Sequence, residues 1–139
     1  DEVEAVNTLV QNLLICAPNF VQDAATAAIR TDTPWLDDIR DTYRERRDLL
    51  LDALETWGLD LGYAPAGAYY LLLDVSDLEG DAFEIADVFL TEAGVAMTPG
   101  PDFGKQAEDT LRASFATSSE NIEEAISRLD SLLAERAVH

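Results

Sequence analysis

The 139-residue chain has one cysteine, one histidine and one lysine, and no apolar run approaches the length of a membrane span. A single Cys16 can form no intrachain disulfide, so the fold has no covalent staple and fits a reducing compartment, with Cys16 expected as a small buried hydrophobe. His139, alone at the end of the chain, supports neither metal binding nor acid-base catalysis, and no metal site is expected. The N-terminus lacks the basic and apolar regions of a secretory signal, and together with the missing apolar runs this leads to the expectation of a soluble, cytoplasmic protein with no membrane partner. Cations are scarce: nine basic residues face 28 acidic ones, a formal net charge of -19, which argues against nucleic acid because phosphate binding needs a basic surface.

The acids that dominate instead are spread along nearly every expected exposed helical face and loop rather than gathered in one tail. With Lys105 as the only lysine, that spread resembles the surface of a salt-adapted, haloarchaeal protein. Dense like charge keeps such a chain dissolved in brine and strains its compact state when counterions are scarce. Length and apolar content suit one domain over 1–139, in which 1–30 forms an N-terminal helical section.

Val3, Val6, Val10 and Leu13 fall at helical spacing in a first helix that Pro18 ends. Asn19 is placed to cap a second helix through Arg30, and Thr33-Pro34 opens a third, with Leu36, Ile39, Tyr43, Leu50, Leu54 and Trp57 as its apolar stripe and Gly58 as its stop. After Gly58 the period changes. Leu59 to Leu61 and Ala68 to Asp74 are expected strands, the second buried on both faces. Asp81 and Glu84 make a capping pair for a helix through Ala93, with Phe83, Ala86, Phe89 and Leu90 on one side. Gly94 ends that helix, Val95 to Thr98 is the next strand, and a last helix turns Ile122, Ala125, Ile126, Leu129 and Leu133 inward. The fold class is α/β, in the two-layer α+β sense: a small sheet with helices mainly on one face, preceded by the helical section.

Thr110-Leu111-Arg112-Ala113-Ser114-Phe115-Ala116 carries the most information. Leu111, Ala113 and Phe115 share one face by the two-residue period, and Arg112 points the other way beside Ser114 and Ala116. A planar, permanently charged fork among small residues suits bidentate capture of a carboxylate. On these residues alone, an arginine on an edge strand reaching water or a neighbouring Asp stays open, since single-strand arginines are common and usually structural.

Upstream lies the block from Gly94 to Gly104, a strand running into a Pro-Gly turn that ends in Phe-Gly; downstream, Ser118-Ser119-Glu120-Asn121 starts a capped helix; further back stands Pro65-Ala66-Gly67-Ala68-Tyr69-Tyr70. In this order the blocks resemble the C-terminal, or small, domain of class I/II aminotransferases of fold type I, which use pyridoxal 5'-phosphate and include the aspartate aminotransferases. The resemblance implies that Arg112 binds the α-carboxylate shared by an amino acid and a 2-oxo acid substrate, with Pro99, Gly100 and Tyr69 as candidate loop contributors. It also implies that the cofactor lysine, its aspartate partner and most of the phosphate cup belong to a large domain absent from this chain, and that the intact enzyme is a homodimer. Lys105 lies in a polar turn, outside the Ser-Lys settings typical of the family, so no catalytic and no cofactor-binding residue is assigned here. Two alternatives stay open: the small domain of another fold type I enzyme, such as a lyase, decarboxylase or acyl-transferring synthase, and a stand-alone acidic binding module.

Overall fold

The apolar period falls from 3.6 to 2 after Gly58, but the first strand begins only at Tyr70. A computed structural model describes residues 2–14, 16–59, 61 and 65–136. The chain divides into two compact units, Asp1–Leu36 and Asp37–His139.

The first unit holds α1 (Glu2–Leu13) and α2 (Asn19–Arg30), and no residue of either helix is buried. Asn19 does not cap α2: it is the first helical residue, after Pro18, and Gln22 Nε2 closes the turn by donating to the Ala17 carbonyl at 2.7 Å. Cys16 is exposed, against its expected burial.

The helix α3 (Trp35–Trp57), which belongs to the second unit from Asp37 on, contributes Leu50, Ala53 and Leu54 to the core and stops at Gly58, whose φ of +71° is a conformation that disfavours side chains. Three strands follow: β1 (Tyr70–Asp74), β2 (Thr98–Pro99) and β3 (Thr110–Ser114), in the antiparallel order β1-β3-β2. Leu59 and Leu61 are not in a strand, and Asp60 between them lies outside the described residues. β2 is shorter than expected: the Val95 N–H is spent on the Phe89 carbonyl at the end of the preceding helix, and Pro99 has no N–H to continue the ladder.

That preceding helix, α4 (Ala82–Ala93), begins on the expected capping box, in which the Asp81 carboxylate accepts from the Phe83 and Glu84 N–H groups and Glu84 accepts from the Asp81 N–H. Its buried side consists of Ala82, Ile85, Ala86, Phe89 and Ala93, whereas Phe83 and Leu90 are exposed, so the inward stripe is rotated from the expected one. In α5 (Ser119–Arg136), Ile122, Leu129 and Leu132 are buried. These helices share one apolar cluster with Leu71, Leu73, Leu111, Ala113 and Phe115. One face of the sheet is therefore covered by helices. The other carries Tyr70, Leu72, Thr98 and Arg112, all half-buried, so Leu72 lacks the full burial expected for this strand.

Candidate functional site

Arg112 stands at the centre of the sheet, on the strand hydrogen-bonded on both sides, not on an edge. Its cross-strand neighbours are Leu72 on β1 and Thr98 on β2, so register brings a hydroxyl beside the guanidinium. Arg112 Nη2 donates to Thr98 Oγ1 at 3.2 Å. Two aromatic rings flank the cation, one from each side of β3. Tyr70, a diagonal neighbour on β1, has its ring centroid 5.5 Å from Arg112 Cζ, and Phe103, on the 3-10 turn Gly100–Phe103 that continues β2, lies at 4.9 Å. Both distances are within the reach of a cation–π attraction.

Among the described residues Arg112 has no ion-pair partner, despite the abundance of acids. Ion pairs hold Arg40, Arg44, Arg47, Arg128 and Arg136, but among the described residues no carboxylate pairs with Arg112. Its Nε is buried without a hydrogen-bond partner. A guanidinium carries five N–H donors, and an unmade hydrogen bond from a buried charged group costs at least about 1–3 kcal/mol. The arrangement is a preformed fork with donors to spare, suited to an anionic planar acceptor.

Two carboxylates of this unit are held in the charged form by local hydrogen bonds. Asp74, at the end of β1, is held below its ordinary value by hydrogen bonds from the Ser76 side chain and backbone. Glu120 is lowered by a backbone hydrogen bond, by the Ser118 hydroxyl and by the charge of Arg46.

The loop residues named from sequence sit in distinct places. Pro99 pairs with Leu111 in the sheet. Gly100 is buried where no side chain fits: a Cβ there would meet the Ala107 carbonyl oxygen at 2.0 Å and Thr110 Oγ1 at 2.2 Å. It seats the 3-10 turn against the start of β3 and so fixes where Phe103 stands. Tyr69 is exposed, edge-on to Tyr70, and lines a separate cavity of about 510 Å³ with Tyr43, Arg40, Arg44 and Arg47. Tyr70, not Tyr69, touches the guanidinium side of the sheet. Lys105 is exposed in a second 3-10 turn, Lys105–Ala107. Among the described residues no group of three or more His, Cys, Asp or Glu is gathered as a metal would require.

Thr98 and Phe103 are absent from the sequence-derived set of site residues. Thr98 becomes a neighbour only once β2 is known to pair with β3, and Phe103 only once the turn is seated by Gly100. The one available signal was the small-residue row facing Arg112, which leaves space for large groups from other segments.

Residues 2–129 match the family described as Aminotransferase class I and II. Aspartate aminotransferase of Pyrococcus abyssi is 36% identical over 123 residues, which are 87% of this chain and 31% of that protein. Valine–pyruvate aminotransferase of Mycobacterium tuberculosis is 38% identical over 131 residues, 93% of this chain and 34% of that protein. Among solved structures, an aromatic aminotransferase from Pyrococcus horikoshii superposes with a TM-score of 0.82 at 32% identity, covering 95% of this chain and 36% of that one. The chain thus spans about a third of the length of the relatives it matches.

Proposed function

The chain belongs to the class I and II aminotransferases, and from that membership we propose that it is their small, substrate-carboxylate-binding domain, with Arg112 as the residue that grips the acid. The observation that carries the reading is a half-buried guanidinium on the sheet face opposite the helices, flanked by Tyr70 and Phe103, which among the described residues has no counter-ion in a chain with 28 acids. A substrate carboxylate completes the hydrogen bonding that the protein leaves unmade. The reaction is amino transfer between an amino acid and a 2-oxo acid, and both share the group Arg112 would bind.

The family uses pyridoxal 5'-phosphate, which when bound serves as an electron sink for the Cα carbanion. The described residues do not form its site. A cofactor lysine must be desolvated, and Lys105, the only lysine, is exposed. Cofactor chemistry is therefore assigned to a large domain beyond this chain, and the chain's own contribution is orientation. Holding the carboxylate at a fixed fork limits rotation of the substrate about the reacting carbon, which converts binding into alignment. We also infer from the net charge of -19 that the enzyme works in concentrated salt.

The test is kinetic, in the full-length enzyme carrying this domain. Arg112→Leu and Arg112→Lys are expected to lower kcat/KM for L-aspartate and L-alanine by about 10- to 150-fold, the loss of hydrogen bonds to a charged group worth about 1.5–3 kcal/mol. Cofactor absorbance should stay intact. Unchanged kinetics in both variants would remove Arg112 from the site.

A further inference from the structure

A free arginine side chain samples many rotamers, and locking it on a ligand costs conformational entropy. Arg112 has already lost much of that freedom. Its Nη2 is tied to Thr98, and its guanidinium carbon lies 5.5 Å from the Tyr70 ring centroid and 4.9 Å from that of Phe103. Tyr70 is fixed by the β1–β3 ladder. Phe103 is held differently, through a four-residue 3-10 turn that the missing side chain of Gly100 allows to sit against Thr110 and Ala107.

Phe103 is also 47% exposed, so it is not core. Among the described residues it takes part in no other ring contact. A large aromatic left half in water above a cation, on a turn built to hold it there, has the guanidinium as its evident partner.

We propose that Phe103 is a positioning residue for carboxylate recognition: its ring, opposite Tyr70, presets the plane and direction of the Arg112 guanidinium before substrate arrives. Phe103 touches Arg112 and acts through it. The inference rests on the reading of Arg112 as the carboxylate-binding residue. Because the ring does its work before binding, its loss weakens capture of every carboxylate substrate, amino acid and 2-oxo acid alike, whatever their side chains.

A double-mutant cycle in the full-length, cofactor-loaded enzyme tests this, with L-aspartate and L-alanine as donors and kcat and KM measured separately. Phe103→Leu is expected to lower kcat/KM about tenfold for both, mostly through KM, in keeping with the strength of a partly desolvated cation–π contact. Phe103→Tyr, which keeps the ring, is expected to restore it. In an Arg112→Leu background, Phe103→Leu is expected to have no further effect, because the group it positions is gone. Three results would overturn the proposal: Phe103→Leu kinetics equal to the parent enzyme, a Tyr variant no better than Leu, or a full-sized Phe103→Leu effect without Arg112. An Arg112→Leu enzyme with parental kinetics would instead reject the underlying reading and this inference with it; parental kinetics in Phe103→Leu beside a damaged Arg112→Leu would reject this inference alone.

Discussion

An arginine with a hydroxyl on one side, a ring from each neighbouring segment and no ion pair among the described residues is held in place yet unsatisfied. That combination separates Arg112 from Arg128 and Arg136, whose charges are met by Glu124 and Glu92 at 2.8 and 2.7 Å on the surface. Exposed pairs of that kind contribute little to stability. At this scale Gly100 has the clearest structural consequence. A methyl group at that position would lie 2.0 Å from a backbone oxygen, so the turn must move to admit it. Gly100→Ala is expected to destabilise the protein by about 1–3 kcal/mol, as overpacking does, and to displace Phe103. Urea unfolding gives the first quantity; a midpoint equal to that of the parent would mean the turn is not seated as described.

At the scale of elements, much was legible because local chemistry decided it. The capping box at Asp81 and Glu84 and the left-handed stop at Gly94 are short-range devices, and both stand where the residues indicated. The alternation in Thr110 to Ser114 likewise placed Leu111 and Ala113 in the core and turned Arg112 away from it. Elements whose form depends on distant partners were less legible. The strand expected over Val95 to Thr98 shrank to Thr98–Pro99 because Val95 is drawn back into the end of α4. The face of α4 was misjudged at Phe83 and Leu90 because a helix rich in apolar residues does not announce which of them meets the sheet. For the same reason Arg112 was legible as a candidate, whereas Thr98 and Phe103 were not: strand order and turn seating decide what surrounds it.

At the scale of the whole molecule, charge and length set the terms. The chain spans about a third of the length of its relatives, and the proposed carboxylate grip at Arg112 is one part of a site to be completed elsewhere in the intact enzyme. A net charge of -19 makes self-repulsion a property of the entire surface, to be relieved by counterions and not by any one pair. The melting temperature is expected to fall as KCl is withdrawn from molar to millimolar concentration, and a melting temperature indifferent to that change would contradict the salt-adapted reading. The central claim is that the Arg112 fork waits for a substrate carboxylate. It is tested most directly by following the arginine side-chain Nε–H resonances of the full-length, cofactor-loaded enzyme during titration with 2-methylalanine, which carries the shared carboxylate but no Cα hydrogen to lose. The Arg112 signal, assigned by its disappearance in Arg112→Lys, is expected to shift saturably with the ligand while the signals of ion-paired Arg128 and Arg136 stay in place. An Arg112 resonance that does not move while 2-methylalanine demonstrably changes the cofactor spectrum would contradict the claim.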